Sequence, residues 1–186
     1  KSRLKKKRAE KSYQGEELGL TEAEIEQHQL QDPYGITFWP RFKGRDGCRT
    51  PMPWNAKAIN AGFSAVDTWL PVADVHLPQA VDVQDADKHS VLNAYRKFLA
   101  WRKTQPALLY GDIEFLDAPE NVLMFVRRHQ GQTILAAFNL AIDAITISLP
   151  NDMQIMALQQ NNVPMAVVNN QHLVLAAYAS AFCSVA

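Results

Sequence analysis

Cysteine is scarce in this 186-residue chain: Cys48 and Cys183 stand far apart, with no second Cys or His at ligand spacing. That leaves no basis for a disulfide framework or a zinc site and favours reduced, cytoplasmic thiols. The five histidines are scattered as well, so no metal and no other cofactor is expected. Long apolar runs are missing too, since nothing approaches the ~18 consecutive residues that suggest a membrane helix. The N-terminus carries charge without the apolar stretch of a secretory signal, and a soluble chain with no membrane partner is expected. Net charge is absent, with 19 basic and 19 acidic residues, but the balance is uneven. Residues 1–12, KSRLKKKRAEKS, carry +6 and the remainder −6. A basic tail on an acidic body can bind nucleic acid. Here no aromatic interleaves the lysines and no base-reading motif follows. That argues against a nucleic-acid partner and for a disordered, solvated tail.

What is present divides into three zones. Residues 13–86 are rich in Pro, Gly, Asp and aromatics and hold no sustained period. One short helical hint lies at Thr21 to Glu26, where Thr21 and Glu24 have capping-box spacing. The zone keeps Phe38, Trp39, Phe42, Trp54, Phe63 and Trp69, which a disordered linker would not, and reads as an ordered, packed loop. Residues 87–105 predict a helix, with Leu92, Tyr95, Phe98, Leu99 and Arg102 on one face. Asp87 or Ser90 can cap it, Pro106 stops it, and Trp101 lies off the main stripe, which predicts neighbours on two sides. From Leu108 the pattern turns to strands: LLYGDIEFL, VLMFVRRH, the connector QGQ, TILAAFNL, AITISLP, MQIMALQ and HLVLAAYASAFCSVA. Such short strands with Asn, Pro and Gly punctuation predict an antiparallel sandwich.

The segment least explained by helix or strand is GRDGCRTPMPW, residues 44–54. Together with YQGEELGL (13–20), the LNAYRKFLAWRK helix and FNLA (138–141), it closely resembles the C-terminal part of α-amylase-superfamily α-glucosidases. The likeness is to the α-glucosidase and oligo-1,6-glucosidase branch of glycoside hydrolase family 13. The resemblance implies a chain that is mainly β with a helical and loop-rich N-terminal part. A C-terminal antiparallel β-sandwich, 107–186, would follow the last β/α unit of a (β/α)8 barrel, 13–106. That unit would comprise strand eight, a long substrate-facing loop and helix eight. The implied activity is retaining hydrolysis of terminal α-glucosidic bonds in short oligosaccharides. Retention requires a nucleophilic carboxylate and a carboxylic acid about 5 Å apart. The family carries these on strands that would precede Tyr13, where the resemblance begins abruptly. No catalytic residue is therefore expected here, and the 186 residues alone are expected to be inactive. Two alternatives stand beside this reading: a non-enzymatic β-sandwich interaction module, and a complementing subunit of a split glycosidase. Apolar surface that belongs against a barrel would favour self-association.

The substrate-binding candidates are Arg49, Glu17 and Asp46. An arginine suits a sugar pocket because its rigid fork can hold a carboxylate and hydroxyls together. The resemblance assigns Arg49 to the floor of the glucose pocket, paired with an upstream Asp. Asp46 and Arg45 can brace the loop instead. Pro51 and Pro53 would stiffen it, while Met52 and Trp54 pack it down. Glu16 and Glu17, read as adjacent residues at a strand end, would point to opposite faces, one of them toward the acceptor side. Glu26 is a weaker acceptor candidate. His28, His76 and His89 sit in polar stretches and are expected to be solvated, and Asn139 to close a turn. The sandwich aromatics Phe115, Phe125, Phe138, Tyr178 and Phe182 are expected in the core, with a stabilising role for that domain.

Overall fold

The computed structural model describes residues 14–150, 153–157, 167–169 and 172–186. The basic tail at 1–12 and Tyr13 lie outside the described residues, as do residues 158–166, which include the end of the expected MQIMALQ strand. Two compact units divide the chain, one running to Asn93 and the other starting at Ala94.

The first unit is mostly irregular. Its helices are α1 (Pro33–Phe38) and α2 (Val81–Ala86), with 3-10 turns at Glu16–Leu18, Gln27–Gln29, Asp46–Cys48, Ile59–Gly62 and Asp74–Gln79. Helix α1 starts where Asp32 accepts the Tyr34 amide and Pro33 occupies the first helical position. The expected helix at Thr21 to Glu26 does not form. The Ala23 amide instead donates to the Gly47 carbonyl at 3.0 Å, and Ala23, Ile25 and Leu30 are buried with Trp39 and Ala73 packed against them. Non-local pairing and burial outweigh a local capping signal here. Glu16 and Glu17 lie in a 3-10 turn between two left-handed glycines, so the strand-face argument for them does not hold. That turn buries Leu18 against Met52 and Leu92.

Buried Gln84 ties this unit together. Its side-chain amide donates to the Leu18 carbonyl at 2.7 Å, and its carbonyl accepts the Leu92 amide at 2.9 Å. Helix α3 (Val91–Arg102) begins at Ser90, whose hydroxyl accepts the Asn93 amide, and is shorter than the predicted span. The division between units falls inside α3. It falls there because Phe98 and Trp101, in the second half of the helix, pack with Ala107, Leu108, Ile134 and Phe182.

The second unit is an antiparallel β-sandwich preceded by α4 (Pro106–Tyr110). Its strands are β1 (Asp112–Phe115), β2 (Val122–His129), β3 (Gln132–Asn139), β4 (Ile145–Ser148), β5 (Ile155–Ala157), β6 (Val167–Asn169), β7 (His172–Leu175) and β8 (Ser180–Val185). One sheet runs β1-β2-β3-β8-β5 and the other β4-β7-β6. The β2–β3 hairpin turns through Gln130 and Gly131, both at positive φ, as the tight hairpin turn of matching twist requires. Register aligns Val126 with Leu135 and Leu135 with Cys183, and this face packs with Ile147, Leu173 and Leu175 of the second sheet. The opposite face carries Phe125, Ala136 and Phe182 in register and is covered by α3 and α4. With both faces covered, β3 loses strict alternation, and Ile134 through Ala137 are all buried.

Three expectations fail in this unit. Residues 108–110 of the expected LLYGDIEFL strand belong to α4, with Pro106 at its start and Ala107 and Leu108 buried. The last expected strand is two, β7 and β8, separated by a turn at Ala176 to Ala179. Phe115 and Tyr178 are not core residues but 65% and 69% exposed, one on an edge strand and the other in a turn at positive φ. Phe182 is buried as expected, Phe125 and Phe138 are half-buried against it, and Asn139 closes its turn by accepting the Ala141 amide and donating to Asp143 and Ala176. No helix among the described residues is long and apolar enough to cross a membrane.

Candidate functional site

The GRDGCRTPMPW loop is organised around two buried carboxylates. Asp32 caps α1 through Oδ1, which accepts the Tyr34 amide at 2.9 Å. Its Oδ2 accepts the Arg45 amide at 3.1 Å and lies 3.6 Å from Arg45 Nε and 4.0 Å from Arg49 Nη1. Burial pushes the Asp32 carboxyl up, but the amides of Tyr34, Arg45 and Gly35 and the Arg45 side chain outweigh it and hold it below the usual carboxylate value.

Asp46 is fully buried, and its Oδ2 accepts the amides of Gln31 and Asp32 at 2.6 and 2.7 Å. Its Oδ1 meets no hydrogen-bond partner among the described residues. Asp46 thus fixes the backbone on which Asp32 sits, while Asp32 fixes the arginines. The glycine of the motif is needed for the same packing, because a Cβ at Gly47 would lie 2.3 Å from the Ala23 carbonyl oxygen.

Arg49 leaves this brace half-exposed, at 40%, and lines a cavity of about 360 Å³. Cys48, Thr50, Phe63, Trp69 and Leu70 line it with Arg49. A neighbouring cavity of about 310 Å³ shares Gln14, Gly15 and Cys48 and adds Glu16, Glu22 and His76. Glu17 faces neither; its carboxylate folds back to accept the Gly15 amide at 2.9 Å. Of the three sequence candidates, Arg49 lines the first of these cavities, whereas Asp46 is buried in backbone hydrogen bonds and Glu17 is held within its own turn. Glu26 is exposed at the start of a 3-10 turn, away from both cavities.

His76 corrects the expectation of a solvated ring. It is buried, with Nε2 2.8 Å from the Thr21 carbonyl and Nδ1 3.4 Å from the Thr50 hydroxyl. A carbonyl only accepts, so Nε2 carries the proton and Nδ1 takes the hydroxyl's hydrogen in the neutral ring. His28 and His89 are exposed as expected. Met52 packs down as expected, but Trp54 is half-exposed although its amide is anchored to the Ala61 carbonyl at 2.8 Å.

Sequence reasoning missed Asp32. The signal that could have found it is Asp-Pro at the start of α1, a cap followed by a first-turn proline. It also treated Phe63 and Trp69 only as packing residues. Chemically, the cavity offers a guanidinium, a hydroxyl and two aromatic rings. No group of three or more His, Cys, Asp or Glu side chains among the described residues could hold a metal.

With this geometry in view, comparison with known proteins is specific. Residues 8–111 match the family described as "Alpha amylase, catalytic domain", and residues 113–181 match "Maltogenic Amylase, C-terminal domain". The chain is 52% identical over 138 residues to a probable alpha-glucosidase of Rhizobium meliloti, covering 74% of this chain and 25% of that protein. It is 32% identical over 132 residues to an oligo-1,6-glucosidase of Saccharomyces cerevisiae, covering 67% and 22% respectively. Among solved structures it is similar to the alpha-glucosyl transfer enzyme XgtA, with a TM-score of 0.87 and 52% identity over 93% of this chain and 32% of that one. The trehalulose synthase MutB of Pseudomonas mesoacidophila gives 0.79 at 25% identity, over 93% and 35%. The chain thus spans about a quarter to a third of the length of these relatives.

Proposed function

The chain belongs to the α-amylase family of glycoside hydrolases, family 13, and from that premise we propose that it supplies one wall of the sugar pocket of an α-glucosidase. The intact enzyme would act with retention on terminal α-glucosidic bonds of short oligosaccharides. The observation that carries the reading is Arg49, anchored from behind by Asp32 yet half-exposed on a cavity with aromatic lining. The nearby Asp32 carboxylate draws the guanidinium to this wall, and the planar fork can donate to sugar hydroxyls from there. Asp46 acts through the backbone of this wall rather than on the sugar, and Glu17 through its turn.

The nucleophile and the acid would come from outside these residues, because the chain spans about a quarter to a third of its relatives and the resemblance places both carboxylates on barrel strands before Tyr13. These 186 residues alone would therefore not hydrolyse glucosides. The two unpaired cysteines suit a reducing, cytoplasmic location.

Titration of the chain with maltose tests the reading. Saturable binding that is lost in Arg49→Ala supports it, and no binding overturns it. Release of nitrophenol from an aryl α-glucoside by the purified chain would overturn the inactivity. A second reading, glucosyl transfer to an acceptor in place of water, is favoured by the 52% identity to an alpha-glucosyl transfer enzyme.

A further inference from the structure

The cavity beside Arg49 has an aromatic side that neither the sugar-pocket role of the arginine nor the packing of the loop accounts for. Phe63 is 48% exposed and Trp69 65% exposed, and both rings line the same cavity as Arg49 and Thr50. Large aromatics left this open in a concave site mark a surface that meets something.

The segment that presents Phe63 is held in an uncommon conformation. Asn60, Ala61 and Gly62 have φ of 48°, 52° and 72° in succession. An alanine in that region is strained, and such strain persists only where the surroundings over-determine it. They do so here. The Asn60 side chain donates to the carbonyls of Ser64 and Val66 at 3.2 and 2.7 Å, and the Phe63 amide donates to the Asn60 carbonyl at 2.9 Å. The Ala61 carbonyl takes the amides of both Trp54 and Asn55. Phe63 is therefore fixed at the cavity rather than loosely exposed there.

We propose that Phe63 and Trp69 form the apolar wall of a site for a single pyranose ring, whose hydroxyl edge Arg49 and Thr50 hold. The proposal rests on the sugar reading of Arg49 and adds the face of the ring to its edge. A pyranose has a polar rim and an apolar C–H face, so it needs donors on one side and a flat apolar surface on another. This cavity supplies both. An anion would use the arginine but gain nothing from the rings, and a hydrocarbon would leave the guanidinium without a partner. At about 360 Å³ the cavity is near the small end of ligand sites, which fits one ring better than a chain.

The test is a titration of the 186-residue chain with methyl α-glucoside and with maltose. It is followed by tryptophan fluorescence and by protection of Cys48 from iodoacetamide, since that thiol lines the same cavity. The variants are Trp69→Ala, Trp69→Leu, Phe63→Ala and Arg49→Ala, each checked by circular dichroism for an unchanged fold. Trp69→Leu keeps an apolar side chain and removes the flat face. The expected result is that both Trp69 variants and Phe63→Ala weaken glucoside binding by about fivefold or more, and that the fluorescence change disappears in Trp69→Leu.

If Arg49→Ala abolishes binding while the Trp69 and Phe63 variants bind as the parent does, the aromatic wall is overturned and the sugar reading of Arg49 stands. If the Trp69 variants lose binding and Arg49→Ala does not, the aromatic wall stands and the arginine's role fails. No binding by the parent chain overturns both. A light-scattering result in which Trp69→Ala dissolves a dimer that glucoside leaves intact overturns the aromatic wall alone, because that wall would then be covered by a second copy.

Discussion

Arg49 Nη1 lies 4.0 Å from Oδ2 of Asp32, the same oxygen that accepts the Arg45 amide at 3.1 Å. One buried carboxylate thus sets both the path of the loop and the direction of the arginine that lines the cavity. Because Asp32 is held below its ordinary value, its ionised form is favoured more by the folded state than by the unfolded chain. That contribution is fully present above the unfolded carboxylate value of about 3.9 and is lost as pH falls through the lower folded value. The parent chain should therefore lose thermal stability on acidification below about pH 4. Asp32→Asn should be less stable at pH 7 and show a shallower acid-side decline. Melting temperatures of both proteins from pH 7 to pH 3 check this, and parallel pH profiles would refute it.

Asp46 acts one step further back, and its variant separates bracing from contact. Asp46→Ala leaves the amides of Gln31 and Asp32 buried without their acceptor, a loss of about 2 kcal/mol or more. Asp46→Asn keeps an oxygen for those amides and should cost less. Urea unfolding midpoints measure both. If Asp46 instead touched sugar, Asp46→Asn would reduce glucoside affinity while leaving the urea midpoint in place.

How much of this was readable in advance follows from how local each cause is. The sandwich was legible, because strands of Val, Ile and Phe between turn residues announce themselves, and Gln130-Gly131 marks the hairpin. Arg49 was legible through the motif around it. Asp32 was not singled out, since its partners Arg45 and Arg49 come 13 and 17 residues later and only the folded loop brings them together. His76 misled for the same reason: its polar neighbours suggested water, while Thr21 and Thr50, remote in sequence, enclose it. Thr21 to Glu26 misled in the opposite direction. A valid local signal lost to the Ala23–Gly47 backbone bond. Phe115 and Tyr178 match their core-forming neighbours in composition, so only their places on an edge strand and in a turn reveal their exposure.

The two cysteines should differ sharply in reactivity. Cys183 is buried in the sandwich core, and burial pushes its thiol up to about 11. Thiolate is the reactive species, so at pH 8 Cys183 supplies almost none and is shielded as well. Cys48 is exposed. Iodoacetamide at pH 8 should add one carbamidomethyl group to the native chain, mapped to Cys48 by peptide mass spectrometry, and two after denaturation. Equal labelling of both thiols in the native state would contradict the packing of β8.

Phe182 joins the sandwich to the helices that cover it, and its loss should show how firmly they are held. Its ring centroid lies 5.4 Å from that of Phe98, 5.3 Å from Trp101 and 5.6 Å from Phe138, with edge-on or tilted geometry in each case. Phe182→Ala removes the common member of these pairs and opens a cavity beside Ile134 and Ala136, at a cost of about 3–5 kcal/mol. Phe182→Leu keeps much of the volume and should cost clearly less, though the edge contacts go. Phe115→Ala is the control on the same sheet, and a 65% exposed ring on an edge strand should change stability by only about 0.5 kcal/mol. Denaturant melts rank the three. The order Phe182→Ala, Phe182→Leu, Phe115→Ala is required if the aromatic group at β8 is the joint between the sheet and α3. Comparable losses for Phe182→Ala and Phe115→Ala would place that joint elsewhere.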